Sequence, residues 1–266
     1  FREALEALQR AAVLAPDEGA VWHELGYAAW RTGQPSYALF ALDRAFTLWP
    51  RSATLLVRGR VLREAGRYQA AEVAFTGARE SAEFPEQRHE ASLEIARTHR
   101  YAAFSGRPAV LSAARRWFAE TGGAVLNHGP VRPSDDDTLE AFAEVARHEQ
   151  WRFNVLVSPP GDPVWERLAG LLAIPRRAPT LEPAFGIVPL IATRIPDSGD
   201  HGWLAANSAV SSSRIGLSFV LEQPEDAAPA DIAGCLTPFT PDPDDPFGAE
   251  EAVRHPASRL EGRRLR

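Results

Sequence analysis

Histidine, cysteine, serine and carboxylate side chains are the groups with which proteins move protons, attack carbonyls or hold metal ions. In this chain they gather after short apolar runs of the second half. Asn127-His128-Gly129 follows Ala124-Val125-Leu126, Ser158-Pro159-Pro160-Gly161 follows the run 151–157, and Pro196-Asp197-Ser198-Gly199-Asp200-His201 follows 185–195. If those runs are neighbouring parallel strands, their carboxyl ends lie together. Asn127, His128, Ser158, Asp197, Asp200 and His201 would then converge on one polar pocket of acid–base or metal-binding character, as in a hydrolase. Cys235 offers a second arrangement, a thiol nucleophile with His128 as its base. The spacings that specify such chemistry are missing, for the chain has no GxGxxG, P-loop, GxSxG or HExxH. Asp135-Asp136-Asp137 precedes a helical pattern, where carboxylates satisfy free N–H groups, so it reads as capping rather than as a cation site. No metal and no cofactor is expected.

The elements that would position these residues form an α/β unit over 122–223. A strand at 124–126 leads to a helix at 138–149, with Leu139, Phe142, Val145 and Ala146 on one face and Asp137 to Glu140 as its capping box. A strand at 151–158 leads to a helix capped by Asp162 and running to about residue 173, and further strands fall at 185–195 and 214–222. Alternation of this kind implies a mainly parallel sheet. Residues 224–266 turn rich in Pro and Asp and then in Arg, which reads as partly irregular chain. The acidic run 241–246 and the arginine-rich end could meet a basic groove in the same or a neighbouring chain, leaving self-association open.

The first half has a different texture. Gly26, Gly33, Ala38, Leu42 and Ala45 recur 33 residues later as Gly59, Gly66, Ala71, Phe75 and Ala78. With Trp22-His23-Glu24-Leu25-Gly26 at its head and Pro50 at its end, this unit resembles the tetratricopeptide repeat (TPR) family, whose period is about 34 residues. A step of 34 back from Ala38, Ala45 and Pro50 lands on Ala4, Ala11 and Pro16, so the chain opens inside the second helix of an earlier repeat. A degenerate pair follows, with a first helix at 91–104, a turn at Gly106-Arg107-Pro108 and a second helix at 109–121. Small residues belong where paired helices cross and large apolar ones fill the gaps. The fold expected is therefore α + α/β: a helical solenoid over 1–121, then a smaller α/β domain.

The resemblance also implies a function. First helices of such repeats line a concave groove, and the positions that usually face a ligand correspond to His23, Tyr27, Trp30 and Arg31, then Leu56, Arg60, Arg63 and Glu64, with Arg97, Arg100 and Tyr101 extending the face. Arginines among aromatic rings suit an extended, acidic peptide, because guanidinium pairs bidentately with carboxylates. The departure is that the carboxylate clamp found in part of this family depends on lysine, and this chain has none.

Composition narrows the rest. The chain has 266 residues, 45% of them hydrophobic, enough for two packed units. No run approaches the roughly 18 apolar residues of a membrane helix, and no basic-then-apolar leader opens it. Membrane insertion is not expected. A single cysteine rules out an internal disulfide and favours the cytoplasm. The absence of lysine and methionine is what a GC-rich bacterial genome yields, and it removes Schiff-base and P-loop lysine chemistry. Residues 1–121 hold 16 arginines against 14 acids, and 122–266 hold 13 against 21, so nothing favours nucleic acid. The expected role is a protein–protein interaction adaptor, with a hydrolase-like second domain as the alternative.

Overall fold

Helices fill the first half because apolar side chains recur every three to four positions and the breakers fall between the runs. The computed structural model shows α1 (Arg2–Leu14), α2 (Gly19–Arg31), α3 (Pro35–Leu48), α4 (Ser52–Glu64), α5 (Tyr68–Glu80) and α6 (Pro85–Ala102), then a single 3-10 turn at Pro108–Val110. The structure describes the chain except residues 105–106, 128–130, 179–187, 197–200, 225, 240–246, 248, 257, 261–262, 264 and 266, and the side chains at 201, 202 and 211. Pro35 and Pro85 open their helices, where the missing N–H has no intrahelical partner to lose. Gly33 and Gly66 turn the chain out of α2 and α4 at φ values of +79° and +74°, a left-handed conformation that side chains resist.

Successive helices of this unit touch, and α4 also touches both α2 and α6. The α2–α3 crossing is close because Gly26 has no side chain: a Cβ there would lie 2.6 Å from Leu42 Cγ. Gly59 repeats the arrangement between α4 and α5, where a Cβ would lie 2.5 Å from the Phe75 ring. Leu42 and Phe75 are fully buried, each burial contributing about 2 to 3 kcal/mol.

The first unit ends at Leu111 and the second begins at Ser112. The residues read as the array's last helix, 109–121, therefore divide. Ser112 accepts from the Arg115 N–H at 3.2 Å and starts α7 (Ala113–Thr121). Ala114 and Trp117 of α7 bury against Val125 of the sheet, which draws the helix into the second unit.

In that unit six strands are described: β1 (Ala124–Val125), β2 (Val155–Val157), β3 (Arg176–Arg177), β4 (Pro189–Thr193), β5 (Leu217–Pro224) and β6 (Ile232–Thr237). They form one sheet in the order β1-β6-β5-β4-β2-β3, every pairing parallel. Helices α8 (Asp135–His148), α9 (Pro163–Leu172), α10 (His201–Ser213) and α11 (Ala249–Arg254) complete it. Apolar residues cover both faces, as parallel sheets require. On one, Trp203 and Val210 of α10 pack with Ile191, Val220 and Ala233. On the other, Phe142 of α8 lies 4.4 Å from Phe219, ring centre to ring centre. The α8 capping box is formed by Ser134 and Asp137 rather than by Asp137 and Glu140, so the helix starts earlier than the sequence suggested.

Among its described residues the segment 224–266 contributes regular structure, β6 and α11. β6 lies between β1 and β5, and its first neighbour, Asp231, is 0% exposed. That carboxylate accepts from the Ser218 N–H at 2.8 Å, from Arg259 Nε at 3.1 Å and from Arg263 Nη1 and Nη2 at 2.7 Å each. Arg259 and Arg263 of the arginine-rich end thus bind inside their own unit. Burial and the Arg259 charge lower the Arg263 pKa against the pull of Asp231. Among the described residues no helix is long and apolar enough to cross a membrane.

Candidate functional site

The face on which α2, α4 and α6 adjoin carries the residues expected to meet a partner, and much of it is occupied from within. His23 Nδ1 lies 3.0 Å from Thr54 Oγ1, and burial lowers the histidine's pKa against the pull of Glu24, which favours the neutral ring. Trp30 Nε1 donates to Glu64 Oε2 at 2.6 Å. Arg60 donates to Glu94 Oε1 at 2.9 Å through Nε and to Glu90 Oε1 at 2.6 Å through Nη2. Arg63 Nη1 contacts the other Glu94 oxygen, and Arg97 reaches Glu94 at 3.4 Å. Burial opposes ionisation of Glu94, but Arg63, Arg97 and Arg60 outweigh it and hold the carboxyl below its ordinary value.

These contacts correct the groove expected from the sequence. Leu56 is core, and Arg63, Arg100 and Tyr101 are buried. The Arg63 guanidinium lies 5.6 Å from the ring centres of both Phe75 and Tyr101, so its charge points inward. Tyr101 in turn stacks on Tyr68 at 6.4 Å. The physical reason is that α4 lies between α2 and α6, and its long arginines reach sideways to the carboxylates of α6 rather than outward.

At the α2 end the face stays more open. Tyr27 and Trp30 are half-buried, and Arg31 and Glu64 are exposed. The rings of Phe1 and Tyr27 meet edge-on at 6.1 Å, and those of Tyr27 and Trp30 at 5.7 Å. Arg31 lies 5.3 Å from the Phe1 ring centre and 5.7 Å from that of Trp30, within the range of cation–π attraction.

The second candidate site is at the carboxyl ends of the sheet. Counted from β2, the order β3-β2-β4-β5-β6 is that of a doubly wound sheet whose direction of winding reverses between β2 and β4, where ligands usually bind. Arg194, just after β4, occupies that point, a residue the sequence reading missed. It grips Asp162 bidentately at 2.5 and 3.1 Å and Asp135 at 2.6 Å. Asp162 also accepts from the Val164 N–H at 3.1 Å to cap α9, as expected. The Arg194 bond holds the Asp162 carboxyl below its ordinary range, and both aspartates hold the arginine charged. One cation is thus neutralised by two carboxylates over the starts of α8 and α9.

Of the acid–base set expected from the sequence, only the side chains of Asn127 and Ser158 are among the described residues. His128, Asp197 and Asp200 lie outside them, as does the side chain of His201, which opens α10. Asn127 donates to the Gly234 carbonyl at 3.3 Å, and Ser158 is buried, accepting from Arg176 Nε at 2.8 Å. Cys235 lies within β6 rather than in a loop. Burial pushes its thiol pKa up, Glu222 adding to the effect against Arg132, which favours the protonated thiol. Glu222 is engaged by Arg132 and accepts from Thr237 Oγ1 at 3.3 Å. No group of metal-ligating side chains occurs among the described residues.

The sequence matches no family model and no curated protein. Among solved structures, a purine phosphoribosyltransferase from Pyrococcus horikoshii Ot3 overlays 48% of this chain and 97% of its own, with 15% identity and a TM-score of 0.31. A mutant O-GlcNAc transferase of Thermobaculum terrenum overlays 84% of this chain at 16% identity and a TM-score of 0.36. The overlay covers 49% of that transferase chain, about half its length. At these scores neither likeness bears on function.

Proposed function

We propose that the first unit is a tetratricopeptide-type array acting as a protein–protein interaction adaptor, which holds a partner segment on the face of α2, α4 and α6. One observation carries this reading. The 33-residue repetition in sequence corresponds to two helix pairs with the same glycine-on-knob crossing, whose first helices adjoin. A row of parallel first helices offers an extended peptide one surface rather than isolated contacts.

The partner differs from the acidic peptide first expected. Glu90 and Glu94 already hold Arg60, Arg63 and Arg97. A peptide carboxylate there would have to displace them, at the cost of stranding buried charge. The part of the face suited to binding is Tyr27, Trp30, Arg31 and Glu64. It favours a segment with an apolar or aromatic anchor flanked by one carboxylate for Arg31.

The test is selection of displayed random peptides on the full chain. Selected peptides should lose about tenfold or more in affinity on Trp30→Ala or Arg31→Glu, as anchors of an interface do. Glu144→Gln, in the second unit, should leave them unchanged. Peptides that bind all three variants equally well would remove the groove reading.

A further inference from the structure

Val220 of β5 and Ala233 of β6 pack with Trp203 and Val210 of α10. Two residues further along each strand stand Glu222 and Cys235, opposite each other in the register, so alternation places them on the same face at the carboxyl ends of the sheet. Thr237, two residues on again, donates to Glu222 Oε2 at 3.3 Å. A carboxylate is thus fixed on a strand beside a thiol and a hydroxyl, its side chain 24% exposed. Its cation comes from outside the sheet. Arg132 contacts the other Glu222 oxygen and also donates to the Cys235 thiol. It stands in the segment between β1 and α8, with 54% of its side chain exposed and an exposed Val131 beside it.

Asp231, Asp135 and Asp162 hold their cations differently. Arg263 on Asp231 is buried, and Arg194 serves Asp135 and Asp162 at once, so neither arginine can leave without stranding charge. Arg132 can turn to water. What it leaves behind is a half-buried carboxylate at the edge where open α/β sheets bind ligands. The Glu222 N–H donates to the Arg194 carbonyl at 2.9 Å, which ties the two charged groups to one end of the sheet. Arg194 offsets only one of the two charges of Asp135 and Asp162, so the field there favours a cation. We propose that Glu222 and Thr237, with the Cys235 thiol, form a binding site for the guanidinium group of a ligand, which Arg132 occupies from within until the ligand displaces it. This goes beyond the adaptor reading and lies in the other unit. Guanidinium suits the site better than ammonium, because its N–H groups lie in a fixed plane and one can reach the carboxylate while another reaches the thiol, as those of Arg132 do. The group belongs either to a free guanidino compound or to an arginine side chain of a peptide.

The probes are propylguanidinium, butylammonium and a capped Gly-Arg-Gly tripeptide, titrated calorimetrically into the full chain. The wild-type chain should bind a guanidinium probe with a dissociation constant between about 0.1 and 10 mM. Arg132→Ala should tighten that binding about tenfold or more, because it removes a tethered competitor. Loss of a merely structural ion pair tightens nothing. Adding Glu222→Gln to Arg132→Ala should abolish binding, and butylammonium should bind about tenfold or more weakly than propylguanidinium. A tripeptide that binds more tightly than propylguanidinium assigns the ligand to a peptide arginine, and the reverse order assigns it to a free guanidino compound. Should Arg132→Ala lose its cooperative circular-dichroism melt, Arg132→Gln repeats the comparison with a longer side chain and no charge. No saturable binding to the Arg132 variants at about 10 mM, binding no tighter than that of the wild-type chain, or binding that survives Glu222→Gln overturns the proposal. Binding that Trp30→Ala removes also overturns it, since that assigns the probes to the first unit.

Discussion

In the helical unit, Glu94 meets Arg60, Arg63 and Arg97 where the first helices adjoin; in the sheet unit, Asp231 meets Arg259 and Arg263 beside the start of β6. Each cluster sets one carboxylate among several guanidinium groups, yet their surroundings differ. The Arg60, Arg97 and Arg63 side chains keep 29%, 33% and 9% of their surface exposed, against 22% and 4% for Arg259 and Arg263, whose carboxylate Asp231 has none. Water can take over more of the first cluster than of the second if each is broken. The same pairing thus tunes a surface in one unit and fastens a chain segment in the other.

Breaking the deeper cluster should give the largest effect. Asp231→Ala leaves two arginines facing each other without their carboxylate, and should cost the second unit about 3 to 5 kcal/mol. Hydrogen exchange should show β5 and β6 opening while α2 to α5 stay protected. Equal loss of protection in both units would mean that the cluster is not a local clasp.

Glu94→Gln should cost less, about 2 to 3 kcal/mol, because Arg60 and Arg97 can turn to water. Its pH dependence sharpens the contrast. The Glu94 carboxyl is held below its ordinary value of 4.5, so its contribution is full above that pH and is lost as the pH falls through the lower folded value. Acid titration followed by exchange of α4 and α6 amides should show a step below about pH 4.5 that Glu94→Gln lacks. A variant that keeps the step would assign it to another carboxylate.

The smallest effect is expected where both partners are wet. Arg58 and Asp43 form a 2.7 Å pair with side chains 30% and 60% exposed. Arg58→Ala should shift the urea midpoint by less than the equivalent of about 1 kcal/mol. A loss as large as that of Glu94→Gln would undo the ranking by exposure.

The two units also differ in how much of them could be read in advance. Helix pairs of the array bring together residues close in sequence, so glycine and alanine at a 33-residue spacing revealed the crossings directly. In the sheet, β1 pairs with β6, and Val125 lies beside Ala233, a contact no local pattern encodes. β6 was missed because its Gly234 and Cys235 lack the branched residues that signal a strand, while Pro and Asp around it signal loop. α10 was missed as well, its serines and alanines giving only a faint apolar stripe. Asp162 was recognised as a helix cap, but Arg194, which holds it, was not, since their meeting depends on β2 and β4 being neighbours. The outward reading of Arg60 and Arg63 failed although a signal was present. Arg60 precedes Glu94 by one repeat, as Trp30 precedes Glu64, and in both cases the pair bridges consecutive first helices.

The fastening of Arg259 and Arg263 to Asp231 has a consequence for synthesis. Each helix pair of the array can close as soon as it leaves the ribosome, since its contacts are with chain just made. In the sheet β2 and β3, β4 and β5, and β5 and β6 pair in sequence, but β1 does not pair with its successor. β1 is among the first parts of its unit to emerge, but it pairs with a strand more than a hundred residues later, and that strand's neighbour Asp231 takes Arg259 and Arg263 as cations. Until those residues clear the exit tunnel, a carboxylate meant for the interior lacks these two cations. Of the two units, the nascent second one is therefore the more exposed to aggregation during synthesis.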